Sequence, residues 1–491
     1  MEFLKWVNKY YKGGIIISKK YLLLNRGILN GHFLNNVKLT VNPVKKDFNN
    51  PLFTEEFFVD HGKKWEVRYD NGYPNVIYDP KYKKFRCYYS VFTRDEHSAE
   101  TSLKDRVNKH YLPSKSRISS LCYAESIDGI NWDKPNLNLV NFEGSTDNNI
   151  LMEFVHGTGV FLDEEELDPR KRYKLITKVD YPSGRSYMAV SFSEDGIHFG
   201  KLTEWPQHNP PADTHNFVFK DKKTGKYKVI TRLWRDGVRI PAISESFDFI
   251  NWSKPEEILR GDGFQEQVYS MPVFQYEDLY LGIASIYHEG DLSEQNYDLV
   301  DVELKYATSL EHWDSVGKAQ YFIPRGKGSY PDGEFDCGCI YASSPIEIDN
   351  KLYFYYMGGN GPHTDFRETA FARSWIEKDK FAYYETKDTN REGILLTRPF
   401  TVCGSELLIL TEIELFGEIK VSLCKESGES YEGYELENSF LTDTYTCYKQ
   451  ICFKNKNIEE LKGKSVVILI KFINAKIFSI AGDIETNKIR M

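Results

Sequence analysis

The sequence predicts an all-β chain, a five-bladed β-propeller followed by a C-terminal β-sandwich. Three observations predict it: a turn motif repeated at blade spacing, five copies of a strand–turn–strand pair, and a change of pattern after about residue 385. The turn reads SIDGINW at Ser126 to Trp132, SEDGIHF at Ser193 to Phe199 and SFDFINW at Ser246 to Trp252, with a worn copy, SLEHW, at Ser309 to Trp313. Its period of roughly 50–70 residues is close to that of a four-stranded blade.

In chain order the paired strands are YPNVIYDPKYKKFRCYYS (73–90), TGVFLDEEELDPRKRYKLITK (158–178), HNFVFKDKKTGKYKVITR (215–232), MPVFQYEDLYLGIAS (271–285) and SSPIEIDNKLYFYYMG (343–358). Short period-2 runs joined by polar turn residues are the hairpin signature. Within the repeated turn, Asp-Gly sits where a tight hairpin needs positive φ, and the Trp or Phe three residues later packs between neighbouring sheets. The motif is therefore a structural turn that closes each blade's outer hairpin. The fifth pair has only Ala372-Arg373-Ser374-Trp375 in place of a turn copy, so N-terminal strands such as KYLLL or VKLTV are expected to complete that blade and close the ring. Beyond residue 385, GILLTRPFTV, SELLILTEIEL, EIKVSLCKE, YKQICFKN and SVVILIKFIN alternate in strand fashion without the turns. The expected domains are a propeller over 1–385 and a sandwich over 386–491. Helical periodicity is nearly absent.

The length of 491 residues suits one large repeat domain with a smaller companion. A formal charge of −9 argues against a nucleic-acid partner, because phosphate binding needs a basic surface. The 33 Tyr, 31 Phe and 8 Trp suit half-buried strands; sugar-stacking platforms would use the same residues. The N-terminal MEFLKWVNKYYKGGIIISKKYLLL lacks the long apolar run and small-residue cleavage site of a signal peptide. No stretch approaches 18 consecutive apolar residues, so no spanning helix is expected. Eight cysteines without a CxxC pair do not form a disulfide framework. Cys337 and Cys339 fall on one face of a strand and read as small core residues rather than metal ligands. The expectation is a cytoplasmic protein with no cofactor, no metal and no membrane partner. A homo-oligomer built on the sandwich remains open.

Longer stretches carry a resemblance: NVKLTVNPVKKDFNNPL (36–52), VNFEGSTDNNI (140–150), DTHNFVFKDKKTGKY (213–227), YSMPVFQY (269–276) and REGILLTRPF (391–400). Over nearly its whole length the chain resembles the five-bladed β-propeller glycoside hydrolases, the architecture of families 32, 43, 62 and 68. It is most similar to a bacterial family-32-like group with a C-terminal β-sandwich. The resemblance implies a glycosidase that uses paired carboxylates in a central funnel on short oligosaccharides or glycosides. The WMNDPNG-like, RDP and Glu-Cys boxes of the well-studied family-32 enzymes are not present. Asp79-Pro80 lies in the first hairpin turn and Arg235-Asp236-Gly237 follows a strand, so both read as turn residues. A non-catalytic carbohydrate-binding propeller, and a carbohydrate-active phosphorylase or lyase, therefore stay open as alternatives.

In a propeller the residues at the start of each innermost strand face the funnel. Here they are Asp70, Asn71 and Tyr73, then His156 and Thr158, then Asp213, His215 and Asn216, then Glu266, Gln267 and Tyr269, and finally Asp332, Glu334 and Asp336. Four of the five groups thus offer a carboxylate, and glycoside hydrolysis needs two, one protonated and one ionised. Crowded carboxylates push each other's pKa values apart, which would assign the roles. Turn capping by Asp is the competing explanation. Asp213, in PPADTHNFVF, is the leading candidate, followed by Glu266 and Asp70; the spacing does not choose among Asp332, Glu334 and Asp336. His156 and His215 are read as substrate hydrogen-bonders, as holders of an axial ion or water, or as packed histidines. Arg232 would clamp a substrate carboxylate or form a structural ion pair. His363, in GNGPHTDF, lies on a loop that could reach the mouth.

Overall fold

The computed structural model describes residues 19–205 and 211–486; the leader reading at residues 1–18, and Pro210 before Asp213, lie outside them. The chain divides into two compact units, one of residues 43–377 and one joining residues 1–42 to 378–491. It is nearly all β: among the described residues the α-helices are Glu96–Glu100 and Leu103–Arg106. No helix among them is long and apolar enough to cross a membrane.

Residues 43–377 build five antiparallel meanders from the strands that the paired runs predict. The first runs Asn75–Asp79, Lys84–Arg94, Ile118–Ser126 and Trp132–Asp133, with Ile150–Glu153 added beside the third strand. The second runs Val155–Leu162, Tyr173–Asp180, Ser186–Ser193 and Thr203–Glu204, and the third Phe217–Lys220, Tyr227–Arg235, Val238–Ser246 and Glu256–Glu257. The fourth centres on Leu279–Tyr287 and Val300–Ser309, and the fifth on Lys351–Gly359 and Thr369–Glu377. These last two share one sheet through a single parallel bridge, Val300 to Cys339.

The repeated turn is an aspartate-centred hydrogen-bond knot. Asp128 Oδ1 accepts from the backbone N–H groups of Ile130 and Asn131, both at 2.8 Å, and the Asn131 side chain donates to Oδ2 at 2.7 Å. Asp195 and Asp248 do the same at their turns. The residue after each Asp has positive φ, 72° at Gly129 and 76° at Gly196, but 65° at Phe249, where no glycine relieves the crowding. The aromatic three residues on leans across a seam. Trp132 packs edge-on against Tyr355 and Phe371 of the fifth meander at 5.7 and 5.2 Å. Phe199 packs against Tyr88 and Leu121 of the first, Trp252 lies in one cluster with Ile176 and Val190 of the second, and Trp313 packs with Phe217 and Ile230 of the third.

The fifth meander is completed by Lys45–Lys46 and Phe53–Thr54, which pair with Thr369–Glu377 at Trp375↔Lys45 and Phe371↔Phe53. This corrects the expectation for KYLLL and VKLTV. Lys20–Leu22 pairs with Ser465–Thr486, and Val37–Val41 pairs with Ala382–Thr386. Tyr21 to Leu24 are all at most 2 % exposed, and so unbroken an apolar run needs cover on both faces rather than an outer edge. In that unit eight strands form one sheet, dominated by Phe400–Cys424 and Ser465–Thr486, with Leu408 opposite Ala481 and Leu423 opposite Ile468. SELLILTEIEL and EIKVSLCKE, expected as separate strands, are one strand with positive φ at Phe416. All eight cysteines are free thiols. Cys337 and Cys339 donate to the backbone oxygens of Asn360 and Gly361 at 3.0 and 3.4 Å.

Candidate functional site

Rings from the starts of the five meanders converge. Tyr73 of the first lies 5.7 Å from His156 of the second, 5.7 Å from His215 of the third and 5.9 Å from Tyr341 of the fifth, and Tyr341 lies 5.7 Å from Tyr269 of the fourth. On one side of this aromatic plug opens a cavity of about 530 Å³, lined by Asp70, Asn71, His156, Asp213, Tyr269 and His363 among others. A larger hollow of about 780 Å³ lies among the hairpin ends of the meanders, around Asp163, Lys220 and Ser343. None of the sequence-predicted site residues lines that one.

Three carboxylates line the first cavity, Asp180 at its exposed rim and Asp70 and Asp213 deeper in. Asp70 sits at φ 54° in a tight Asp70–Tyr73 turn, where Gly72 is pressed so close to Met357 that a Cβ would lie 2.4 Å from its Cγ. Its Oδ1 accepts from Arg367 Nη2 at 2.8 Å and from Arg68 Nε at 3.3 Å. Burial alone would raise its pKa, but the Arg367 and Arg68 charges override that and hold it well below the usual carboxylate range. Asp213 is different: its side chain is 43 % exposed and only Oδ1 is engaged, by Arg232 Nη1 at 3.2 Å.

Asp213 owes its position to Asn216, whose side-chain amide donates to the backbone oxygens of Gly157, Ala212 and Thr214 at 2.8 to 3.1 Å. Gly157, at φ 58°, lets that loop close on the second meander, since a Cβ there would lie 1.7 Å from Thr214 O. His156 lines the same cavity and feels the charges of both acids. Burial pulls its pKa down to about 4 against the raising influence of Asp213 and Asp70, so it is a neutral imidazole at neutral pH. His363, bonded through Nδ1 to Tyr341 Oη at 2.7 Å, is pushed well below its ordinary value by burial and by Arg367.

Several predicted residues do not line this cavity, and packing explains each. Tyr73 and His215, 1 % and 2 % exposed, belong to the plug beneath the floor. His215 Nε2 bonds Asn75 Oδ1 at 3.1 Å, and burial brings its pKa to about 3. Asn216 holds the loop, as described. Arg232, 1 % exposed, forms the ion pair with Asp213 at 3.2 Å and donates to Tyr269 O at 2.7 Å. Gln267 is fully buried and engaged by Arg239 and Glu289. Glu266 pairs with the surface Lys318 at 3.4 Å. Asp332 and Glu334 are exposed elsewhere. Asp336 is buried with Lys46 at 2.6 Å and Tyr356 Oη at 2.9 Å.

Sequence reasoning missed the arginines and the wall they support. Residues 95–117, a polar interruption between two strands of the first meander, fold over the cavity with the two short helices. Asp95 caps the first helix through Ser98 N and accepts the Tyr111 hydroxyl at 2.5 Å. Tyr111 lies 3.9 Å beneath the Arg68 guanidinium and receives Arg117 Nη1 at 3.2 Å. The available signal was length, since a connection this long inside a compact domain usually carries function. Arg367 had no such signal; it is 1 % exposed and ties Asp70 and Asn71 to the backbone of Pro362 and His363.

No protein-family model and no curated protein matches the chain. Among solved structures it is similar to an N-acetylgalactosamine deacetylase from F. plautii crystallised with blood group B trisaccharide, at 14% identity over 70% of this chain and 96% of that one, TM-score 0.44. It is also similar to a putative glycoside hydrolase from Bacteroides ovatus, at 15% identity over 70% and 98% of the two chains, TM-score 0.45. A third is a β-1,2-mannobiose phosphorylase from Listeria innocua, at 12% identity over 69% and 98%, TM-score 0.45. The structures similar to this chain include glycoside hydrolases and other carbohydrate enzymes.

Proposed function

We propose that residues 43–377 are a five-bladed β-propeller carrying the active site of a glycosidase, and that the second unit is a β-sandwich. The ring of five converging aromatic side chains and the seam contacts from first meander to fifth support the propeller. One observation carries the chemistry: Asp70 and Asp213, from the first and third meanders, open into one cavity with the neutral His156. Asp70, fixed as an anion by two arginines, is the ionised member, able to stabilise or attack a developing oxocarbenium centre or to activate water. Asp213 has one arginine partner and a free Oδ2, and it exchanges the proton with the leaving oxygen or the incoming water. Tyr111, Phe92 and Tyr269, 8, 5 and 7 % exposed, line the cavity as a rigid wall whose ring faces are covered by Arg68, Arg117 and Arg232. Eight free thiols are in keeping with a reducing compartment, the cytoplasm.

The test is a panel of aryl furanosides and pyranosides, fructosides included. Wild-type protein is expected to release the aglycone from at least one of them, and Asp213→Asn to release none. A negative panel combined with a sugar-dependent rise in melting temperature would replace this reading by a carbohydrate-binding propeller. Turnover that requires phosphate would replace it by a phosphorylase.

A further inference from the structure

Of the three acids that line the cavity, Asp70 and Asp213 already have their cations, yet cations remain. Asp70 is matched by Arg367 and Arg68, and Asp213 by Arg232. Arg117 and Lys178, in the same cavity wall, have no carboxylate within ion-pair distance among the described residues. Arg117 stacks on Phe92 at 4.1 Å and spends one nitrogen on the Tyr111 hydroxyl, which leaves Nε and Nη2 without a partner among the described residues. Lys178, half-buried on the strand Tyr173–Asp180, makes no side-chain hydrogen bond. Asp180, two residues along, is exposed at the rim and forms no ion pair with it. Arg68, 2 % exposed, keeps Nη1 buried without a partner. Lys115 adds an exposed positive charge to the lining.

We propose that this cavity takes its substrate by an anionic oxyacid group, a carboxylate, sulfate or phosphate, gripped between Arg117 and Lys178. A planar guanidinium with two free donors matches such a group in bidentate fashion, and an ammonium adds a point charge. Arg117 already feels the charges of Asp70 and Asp95 but keeps donors open, and a half-buried ammonium such as Lys178 without a carboxylate partner is favoured when an anion completes it. The two cations also act on His156 from the side opposite to Asp70 and Asp213 in sign, so an anion placed there would sit next to the proposed reaction centre rather than far from it. The proposal deepens the glycosidase reading by making the sugar acidic, and it rests on that reading only for the word sugar.

Thermal shift and calorimetric titration with glucose, glucuronate, glucose 6-phosphate and inorganic phosphate test it, at matched ionic strength. Glucuronate or glucose 6-phosphate is expected to bind and raise the melting temperature while glucose does not. Lys178→Ala should weaken that binding about 10- to 100-fold, the scale of one charge-assisted hydrogen bond, and added salt should weaken it further. Arg117→Ala should do the same; because it also unstacks Phe92, Arg117→Lys serves as the variant that keeps the charge but loses the fork. Binding of inorganic phosphate alone would still support the anion site and identify free phosphate as its source. Equal responses to glucose and glucuronate, no response to any probe, or unchanged anion binding in Lys178→Ala would overturn it. Because these are binding measurements, they stand whether or not the aryl glycoside panel is turned over.

Discussion

Asp70 and Asp213 share a cavity but not a fate on mutation, and the contrast separates chemistry from support. Asp213→Asn keeps size and leaves Arg232 its bond to the Asp213 backbone oxygen at 2.9 Å. Turnover should fall 10²-fold or more, the usual scale of proton-transfer catalysis, with a smaller loss of stability than in Asp70→Asn, because Asp213 is 43 % exposed although it pairs with the buried Arg232; wild-type turnover in this variant would remove Asp213 from the mechanism. Asp70→Asn strips the charge facing two arginines that are 1 % and 2 % exposed, so it should cost on the order of 3 kcal/mol in denaturant unfolding as well as activity. Glu55 gives a prediction about pH. Burial raises its pKa from 4.5 to about 7, against the lowering effect of the Tyr69 N–H that it accepts at 2.8 Å. The folded state therefore keeps a proton that the unfolded state releases between those values, and stability falls as pH rises from 4.5 to about 7. Glu55→Gln should be more stable than wild type at pH 8 by up to about 3 kcal/mol and no more stable at pH 4; a gain that does not grow with pH would contradict this. At this scale the sequence was half legible. Asp70, His156, Asp213 and Tyr269 stand where strand starts converge, but Glu266 and Asp336 also precede strand starts and are claimed by Lys318 and Lys46. Which carboxylate a lysine from a distant segment will take is decided by tertiary packing, on which local spacing is silent.

Among the elements, the aspartate turn was the most legible because its chemistry is local: one carboxylate satisfies two N–H groups and an amide within three residues. Asp248→Ala deletes bonds to Ile250 N, Asn251 N and Asn251 Nδ2 of 2.9, 2.8 and 2.7 Å. It also frees Phe249, held at φ 65°, to relax. The expected loss is about 1–2 kcal/mol by denaturant unfolding, smaller than for a core cavity because the turn is exposed and water replaces part of the bonding. Turnover should not change, since the turn does not touch the cavity; reduced turnover per folded molecule would give it a functional role that the sequence reading denied. The 95–117 segment marks the opposite case. Its helices are five and four residues long, too short for any periodic signal, and its fold is held by long-range partners, such as Asp365 accepting Tyr111 N at 2.7 Å.

At the scale of residues 43–377, the first and last meanders meet, and Phe53 is a side chain that joins them. Its short strand, Phe53–Thr54, joins the fifth meander, and its ring stacks on Phe371 there at 4.5 Å. The same ring meets Tyr89 and Trp132 of the first meander at 5.5 and 6.4 Å. One side chain near the start of this unit thus bridges its first and last meanders. The sequence made the five meanders visible through their period, but not this closure, because two residues of strand carry no periodicity and the longer, more apolar KYLLL and VKLTV competed for the role. Phe53→Ala should cost about 2–4 kcal/mol, the lower part of the range for aromatic truncation since the ring is not fully buried. More telling than the size is the distribution. If closure couples the meanders, amide exchange in Phe53→Ala should speed up both in Lys84–Arg94 and in Thr369–Glu377, which are distant in sequence but adjacent at the seam. The middle strands of the third meander should keep the exchange order they have in the wild type. Faster exchange confined to the fifth meander would mean that Phe53 merely finishes one sheet and that the unit holds its ring by other contacts.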